Sequence, residues 1–305
     1  LGTEFRGHAA LYPREEHVLD WDSPAPPLLA VQERAVPRGV ELETHDLRAA
    51  GEYHRPDLLG YDEHMADANE GDHDGRPSWD AFNNPSCDGW AVPKLVAFDM
   101  DGVLVDIVSS WVHVHQRFGV NNDHSLAAYL RGEIDDQEFI RRDIALWKSA
   151  DPGVTADKIR SVLADAPIMN GAAELMAGLR RMGCKTVIVS AGIDLLSERV
   201  AEELGMDLQF ANGMRTHDDG RLSGEGIFRV MLTDKGRTVA EAAEMFGVGP
   251  EDIVSVGNSR YDVSMFERSA LGIAFCPEDE DVRGAADVVV DEKDLRKLLE
   301  HICRP

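Results

Sequence analysis

Basic residues are scarce in this chain. Lysine and arginine together number 31, against 56 aspartate and glutamate residues, so the formal net charge is −25. A surface this acidic repels the phosphate backbone of nucleic acids and the headgroups of anionic lipids. We therefore expect neither nucleic acid nor a membrane as a partner.

Cysteines are also few, and long apolar runs are missing. The four cysteines are far apart, which is not the dense pattern of a disulfide framework and indicates reduced thiols. No apolar stretch has the length of a membrane span or the pattern of a signal peptide. These features predict a cytoplasmic protein, with two of its cysteines beside strands in the core. The cysteines are Cys87, Cys303 and the two predicted core residues, Cys184 and Cys276.

Residues 1–92 lack lysine entirely, and their short apolar runs never repeat with the period of a helix or a strand. A segment of this composition cannot bury enough apolar surface to offset its conformational entropy. Several histidines lie in it, but without the local pairing of a metal motif. We expect a disordered acidic extension over 1–92, followed by a folded domain over 93–305.

Two aspartates, two residues apart, directly follow a short apolar run. The run 95–98 predicts a buried strand, and Asp99 and Asp101 come next, just before Gly102. At the carboxyl edge of a parallel sheet, both carboxylates point into one pocket. Like charges raise each other's pKa, so a bound cation or catalysis explains why both are kept. On this pair alone, a polar loop with solvated acids is the alternative.

Three later segments place more polar groups at the same predicted edge. A β-branched strand ends in a hydroxyl and small residues, an amphipathic helix over about 235–246 opens with an ammonium, and a third strand leads into an amide and a carboxylate. Small residues let backbone N–H groups approach an anion closely. Oxygen donors beside them suit a Mg²⁺ ion that holds a phosphate. These side chains and small residues are Ser190, Ala191, Gly192, Lys235, Asn258 and Asp262.

The alternation of strands and helices predicts an α/β fold. We expect a doubly wound, Rossmann-like parallel sheet with helices on both faces. About eighty residues separate the first two motifs, which is enough for a small helical cap inserted after the first strand, over about 107–168. Apolar spacing predicts four cap helices, then a β-hairpin and a closing helix, over 105–118, 125–130, 137–147, 156–163, 214–228 and 291–302.

The Asp99 and Asp101 pair and the three later segments form four motifs. In order and spacing, these motifs resemble those of the phosphatases of the haloacid dehalogenase superfamily, and most closely those of the phosphoserine phosphatase branch. The resemblance runs from about Lys94 to Ile302. It implies Mg²⁺-dependent hydrolysis of a small phosphorylated metabolite. It also implies that Asp99 is the nucleophile that forms an aspartyl-phosphate, and that Asp101 is the general acid and base.

The resemblance further implies a phosphate-binding set and a metal-binding set. The phosphate would be bound by Ser190, Ala191, Gly192 and Lys235. The Mg²⁺ ion would be held by Asp99, by the main-chain carbonyl of Asp101 and by Asn258, with Asp262 supporting them from behind.

Three positions depart from the family pattern. Asn258 stands where relatives usually carry an acidic ligand, so we expect weaker Mg²⁺ binding. Val108 and Asp143 stand where phosphoserine phosphatases place a Glu for the substrate amine and an Arg for its carboxylate. Phosphoserine is therefore only the leading named substrate.

Other cap residues are candidates for substrate contact, although ordinary packing is the commoner use of such side chains. The candidates include Trp111 and Arg142, together with His113, His115 and Trp147. Two other functions stay open: phosphoryl transfer of the kind catalysed by sugar-phosphate mutases, and a weakly active relative with a binding or regulatory role. The oligomeric state is not predicted.

Overall fold

The computed structural model of the chain describes residues 92–302. Apart from its last residue, the predicted extension over 1–92 lies outside the described residues, as do Cys87 and Cys303. The strands are β1 (Leu95–Phe98), β2 (Lys185–Ile193), β3 (Leu208–Thr216), β4 (Leu222–Ile227), β5 (Ile253–Gly257), β6 (Leu271–Phe275) and β7 (Val288–Val290). The α-helices are α1 (Ser110–Phe118), α2 (Asp123–Leu130), α3 (Asp136–Ala150), α4 (Ala156–Leu163), α5 (Ala172–Arg181), α6 (Asp194–Leu204), α7 (Lys235–Phe246), α8 (Val263–Phe266), α9 (Glu280–Ala285) and α10 (Leu299–Ile302).

The strands form one sheet in the order β4-β3-β2-β1-β5-β6-β7. Every neighbouring pair is parallel except β3 and β4, which are antiparallel. From β1 the chain first adds strands on one side of the sheet, and it then crosses to β5 on the other side. The predicted doubly wound α/β fold is confirmed, with an antiparallel edge strand added. Sheets of this kind bind ligands where the strand order reverses, which here is between β1 and β5.

The central strand alternates between two apolar clusters. Leu95 and Ala97 pack with residues of α7 and α8, whereas Val96 and Phe98 pack with residues of α5 and α6. Successive side chains of a strand point to opposite faces, so a strand covered on both sides is apolar at every position. This explains the unbroken apolar run at 95–98 and places helices on both faces of the sheet.

Helices α1 to α4 lie between β1 and β2. The first of them begins at Ser110, not at Val105 as predicted, because Ser109 caps it: the Ser109 Oγ accepts the Val112 N–H at 3.5 Å. Residues 102–104 before the cap form a turn, and Val105 forms β-bridges with Asp101 and with residue 168. Helices α1, α3 and α4 pack in one apolar cluster with the fully buried Trp147.

The predicted hairpin is formed by β3 and β4, and β3 begins at Leu208, before the predicted start at residue 214. The acidic turn between the strands is exposed. Two side chains of α3 bind the main chain of β4. Gln137 Nε2 donates to the Gly226 carbonyl at 3.1 Å, and Lys148 Nζ donates to the Leu222 carbonyl at 2.9 Å. The hairpin therefore supports the cap helices.

Two expectations near the C-terminus are wrong. The closing helix does not begin at residue 291. It begins as a 3₁₀ turn at Leu295, because the Asp294 side chain caps the Arg296 N–H at 3.0 Å and the Leu295 N–H is held by the Asn170 carbonyl at 2.9 Å. Cys276 is half-buried rather than a core residue, because it lies beyond the end of β6.

Among residues 92–302, no helix combines the length and the apolar character that a bilayer span requires.

Candidate active site

Three neighbouring strands end at the same edge of the sheet, and each brings one predicted site residue there. Asp99 follows β1, Ser190 lies near the end of β2, and Asn258 follows β5. The Asp99 N–H donates to the Val256 carbonyl at 2.9 Å, which continues the β1–β5 pairing up to the site. All three side chains are buried. The strand order therefore brings together groups that are far apart in the sequence.

Lys235 joins two of the predicted carboxylates. Its Nζ lies 2.8 Å from Asp99 Oδ1 and 2.7 Å from Asp262 Oδ1, and all three side chains are buried. The Met100 N–H also donates to Asp99 Oδ1, at 2.7 Å. Buried charges are tolerated when they are paired and hydrogen-bonded. This cluster nevertheless holds two carboxylates for one ammonium, so its net charge is negative when both are ionised.

The imbalance shifts the protonation of these groups. Burial and the neighbouring Asp262 raise the pKa of Asp99 to about 7, although Lys235 opposes them. Burial lowers the pKa of Lys235, but the charges of Asp262 and Asp99 outweigh it and leave that pKa above its ordinary value. Lys235 is therefore charged at neutral pH, and Asp99 needs further positive charge nearby to be fully ionised.

We expect the metal-free protein to lose stability as Asp99 ionises. The folded-state pKa is raised, so the contribution of this group is present below its ordinary value of 3.8 and is lost as pH rises through about 7. Asp99→Asn cannot ionise. Its melting temperature relative to the parent should therefore rise between about pH 5 and about pH 8, by an amount equivalent to about one to a few kcal/mol. Thermal melts in a chelator check this, and a difference that does not vary with pH would contradict it.

Asp262 also shapes the loop after β5. Its Oδ2 accepts the N–H groups of Asn258 and Ser259, at 2.9 and 3.0 Å, and the Ser259 Oγ at 3.2 Å. Its other oxygen binds Lys235, so one fully buried carboxylate connects the loop to the ammonium. The structure thus places Asp262 behind the site, where the sequence predicted a supporting residue.

Asp101 is held by a residue that the sequence analysis missed. Both the N–H and the Oγ of Ser110 donate to Asp101 Oδ2, at 2.8 and 2.7 Å, and the same Oγ accepts the Ile193 N–H at 3.0 Å. Asp101 Oδ1 is buried and has no hydrogen-bond partner among residues 92–302. Burial raises the pKa of Asp101 and the Ser110 bonds lower it. A single serine at a helix start carries no sequence signal for this role.

Glycine at position 192 lets the acid approach the second strand. A Cβ there would lie 2.6 Å from Ser110 Oγ and 2.8 Å from Asp101 Oδ2, which is too close for any side chain. Pairing between β2 and β3 shifts register between Val189 and Ile193, so the strand bends at this point. The close approach of Ser110 and Asp101 to the main chain explains why position 192 is a glycine.

Three side chains hold the main chain that follows Ser190 at the end of β2. The Gly192 N–H donates to Ser190 Oγ at 3.0 Å. The Ala191 carbonyl accepts Trp111 Nε1 at 3.0 Å and Asn212 Nδ2 at 3.2 Å. Trp111, which the sequence offered as a substrate contact, therefore reaches the main chain of the predicted phosphate loop from helix α1.

Asn258 is surrounded by groups that fix its amide. Its Nδ2 donates to Glu278 Oε1 at 3.2 Å. On another side, a Cβ at Gly102, whose φ is 77°, would collide with the same nitrogen. The sequence analysis did not select Glu278, because it lies in an acidic stretch in which no residue stands out.

Two of the predicted specificity residues in the cap, Val108 and Arg142, do not bind the residues described above. Val108 is 52% exposed. Arg142 Nε donates to Glu138 Oε1 at 2.8 Å, within helix α3, and Arg141 binds the same carboxylate. Within the described part of the chain, no side-chain hydrogen bond or ion pair joins Val108 or Arg142 to the site. Their role in specificity stays a prediction.

Asp143 has a structural environment of its own. It is buried and accepts Asn122 Nδ2 at 3.1 Å, and His115 Nε2 lies 3.5 Å from it. Trp147 Nε1 donates to His115 Nδ1 at 2.7 Å, so the histidine proton is on Nε2, facing Asp143. Burial raises the pKa of Asp143. Where the resemblance implies an Arg, this chain has a buried acid that is engaged with a histidine.

Comparison with known sequences gives the family. The sequence model of the haloacid dehalogenase-like hydrolases matches residues 93–269, more than half of the chain. The chain belongs to this family. It is 30% identical over 212 residues to a phosphoserine phosphatase of Wolinella succinogenes, a match that covers 68% of this chain and 100% of the relative. A phosphoserine phosphatase of Methanocaldococcus jannaschii is 28% identical, with 68% and 97% covered. The haloacid dehalogenase-like chain is thus a phosphatase of the phosphoserine phosphatase branch.

Solved structures agree with this placement. A phospho-aspartyl intermediate analogue of phosphoserine phosphatase is similar with a TM-score of 0.59 and 27% identity, and the match covers 69% of this chain and 99% of that one. A substrate-bound phosphoserine phosphatase complex matches with the same score and identity, over 68% and 98%. The haloacid dehalogenase fold of residues 92–302 is therefore that of the branch.

Proposed function

We propose that this chain is a Mg²⁺-dependent phosphomonoesterase whose Asp99 carboxylate accepts the phosphoryl group of a small phosphorylated metabolite. The buried contact between Lys235 Nζ and Asp99 Oδ1, at 2.8 Å, carries the proposal. An ammonium at this position stabilises the ionised nucleophile, and it also stabilises the charge of an incoming phosphate. Both Asp99 contacts use Oδ1, which leaves Oδ2 for attack.

The residues at the site suit Mg²⁺. The donors are the Asp99 carboxylate, the main-chain carbonyl of Asp101 and the amide oxygen of Asn258, all of them oxygen, as this ion prefers. Asp99 and Asp262 both contact the single ammonium of Lys235, so a further cation would offset the remaining negative charge. Within residues 92–302 no cluster of three or more His, Cys, Asp or Glu side chains has metal-binding geometry. When bound, Mg²⁺ would neutralise charge on the phosphate oxygens.

The chain's own residues account for both halves of the reaction. In the first half, an oxygen of Asp99 bonds to phosphorus, the bond from phosphorus to the substrate oxygen breaks, and the Asp101 carboxyl donates its proton to the leaving oxygen. In the second half, Asp101 removes a proton from water, the water oxygen bonds to phosphorus, and the bond to Asp99 breaks. The raised pKa of Asp101 favours the protonated start that this cycle needs.

Phosphate binding is assigned to Lys235 and the last residues of β2. Ser190 and the main chain at Ala191 and Gly192 lie at the same edge of the sheet as Asp99, and glycine at 192 allows close approach. The Trp111 and Asn212 bonds to the Ala191 carbonyl hold this segment in one conformation. A segment that is already ordered binds the phosphoryl oxygens without a further loss of entropy.

Phosphoserine is the first substrate to test, because it is named in the relatives. Val108 and Asp143 stand where the branch places its amine and carboxylate contacts, so the organic part of the substrate is an open question. The purified protein should be assayed with Mg²⁺ against a panel of phosphorylated metabolites that includes phosphoserine and sugar phosphates. Release of inorganic phosphate supports the proposal. Isomerisation without release indicates a mutase, and no reaction with any member indicates a binding protein.

Ser110→Ala should slow the reaction without unfolding the protein. The lost hydroxyl donates to Asp101 Oδ2 at 2.7 Å and accepts the Ile193 N–H at 3.0 Å, so both the acid and the loop lose a positioning contact. We expect kcat to fall by about tenfold to a hundredfold. The Ser110 bonds lower the pKa of Asp101, so the alkaline limb of the pH profile should move to higher pH.

Ser197→Ala is the matched control for that variant. Ser197 is also fully buried, and its Oγ donates to the Asp194 carbonyl at 3.1 Å, away from the site. It should lose stability comparable to Ser110→Ala, on the order of 1 kcal/mol, and keep its kcat. Equal kcat values for the two variants, measured with any substrate that the panel identifies, would contradict the positioning role of Ser110.

A further inference from the structure

The proposed Mg²⁺ site has a neutral side chain, Asn258, where the family usually carries an acid, and Glu278 faces it. Asn258 Nδ2 donates to Glu278 Oε1 at 3.2 Å, and the Glu278 N–H donates to the Asn258 carbonyl at 2.7 Å. The two bonds run in opposite directions, from side chain to side chain and from main chain to main chain. Asn258 is thereby held from two sides by a residue twenty positions away.

The side-chain bond decides which way the amide points. An ionised carboxylate only accepts hydrogen bonds, so the nitrogen of Asn258 must face Glu278 and the oxygen must face away from it. Only the amide oxygen can bind a hard cation. Gly102 leaves room for the nitrogen on its other side, because a Cβ at that position would collide with Nδ2. Glu278 therefore selects the orientation in which Asn258 can act as a metal ligand.

Glu278 also returns the negative charge that an asparagine ligand lacks. Its Oε1 lies 3.2 Å from Asn258 Nδ2, which brings a carboxylate next to the neutral ligand, although the residue lies at the exposed rim. A cation bound by Asn258 is therefore attracted by this charge.

We propose that Glu278 is a positioning residue for the Mg²⁺ ion: it orients the Asn258 amide with Oδ1 toward the cation, and it supplies the carboxylate charge that position 258 has lost. The inference rests on the proposed function, since it requires the Mg²⁺ site. It adds a residue to that site whose contact is with a ligand rather than with the ion.

The first test is Mg²⁺ binding by calorimetry to the parent, Glu278→Gln and Glu280→Gln. Glutamine keeps the size of the side chain, but it can accept or donate, so it no longer fixes the amide. We expect Glu278→Gln to weaken binding by about tenfold, at the lower end for an outer-shell partner because the residue is exposed. Glu280→Gln removes an exposed acid two residues further on and should leave binding unchanged. Equal affinity of Glu278→Gln and the parent would overturn the inference.

The second test separates orientation from charge. In Asn258→Asp, either side-chain oxygen binds the cation and the ligand carries its own charge, so orientation no longer matters. Glu278→Gln should therefore cost much less affinity when it is added to Asn258→Asp than when it is added to the parent. Equal losses in the two backgrounds would mean that Glu278 acts only as a distant charge, and the orienting role would be wrong.

Folding and the proposed function are checked in the same experiment. Glu278→Gln removes like-charge repulsion, so its melting temperature in a chelator should be no lower than that of the parent, and Mg²⁺ should raise it less. A parent that neither binds Mg²⁺ nor hydrolyses any phosphoester would refute the proposed function itself. A parent that does both, beside a Glu278→Gln variant that binds Mg²⁺ equally well, would refute only the role of Glu278.

Discussion

Asp99→Asn is expected to lower kcat by at least about 10³-fold, which corresponds to about 4 kcal/mol of transition-state stabilisation. The amide keeps the shape of the side chain and its place beside Lys235, but it cannot form the bond to phosphorus. The fold should persist, because the variant removes a buried charge rather than a packing group. Initial rates with the best substrate of the panel, together with circular dichroism, measure both outcomes.

Asp218→Asn is the control for this loss. Asp218 lies in the exposed turn between β3 and β4, so the same chemical change there should leave kcat unaltered. An Asp99→Asn variant that retains activity within about tenfold of the parent would rule out the carboxylate as nucleophile.

Asp101→Asn is expected to lower kcat/KM by about 10²- to 10⁴-fold for an alkyl phosphate, because the departing alkoxide then receives no proton. The loss of kcat/KM should be far smaller for an aryl phosphate such as p-nitrophenyl phosphate, whose leaving group is stable as an anion, because kcat/KM reports only the steps up to the release of the leaving group. Asp101 Oδ1, which is buried and has no hydrogen-bond partner within residues 92–302, is the atom to which we assign this proton. Values of kcat/KM for the two substrate types, measured with the parent and with Asp101→Asn, give the comparison.

The contrast with Asp99→Asn makes the assignment specific. A nucleophile is needed whatever the leaving group is, so Asp99→Asn should slow both substrate types alike. If Asp101→Asn also lowered kcat/KM for the two substrate types by the same factor, its role would be structural or electrostatic, and the general acid would have to be sought elsewhere.

The strand-end residues could be predicted because their position follows from local sequence and one rule of topology. An apolar run followed by Asp99 or Asn258 marks the end of a strand, and parallel strands end at a common edge. Lys235 could be found for the same reason, as the first residue of a helix with a clear apolar face. None of these inferences required the distance between two remote segments.

The residues that were missed depend on such distances. Ser110 meets Asp101 because the chain turns at residues 102–104 after β1 and the helix starts five residues later than its apolar pattern indicated. Glu278 meets Asn258 through the loops after β5 and β6. In both cases the side chain is an ordinary polar residue in the sequence, and only the packed structure gives it a partner.

The cap residues were the hardest to assign, because a helical pattern does not distinguish a core residue from one that faces a ligand. Trp111 and Trp147 stack with ring centroids 5.3 Å apart, yet only Trp111 also reaches the main chain of the site loop. His115 is used inside the cap, against Trp147 and Asp143. The bulk of these aromatic residues could be read from the sequence, but their orientation could not.

The central claim is that an oxygen of the Asp99 carboxylate attacks phosphorus as the nucleophile. Mass spectrometry of the enzyme during turnover tests this claim most directly. The parent, mixed with Mg²⁺ and its best substrate and quenched in acid, should carry one phosphoryl group on the peptide that contains Asp99. With p-nitrophenyl phosphate as the substrate, the same quench of Asp101→Asn should retain at least as much of this adduct as the parent does, because this substrate forms it without the acid and the water that removes it is no longer activated. Turnover without any phosphorylated Asp99 peptide, or the phosphoryl group on a different residue, would contradict the account.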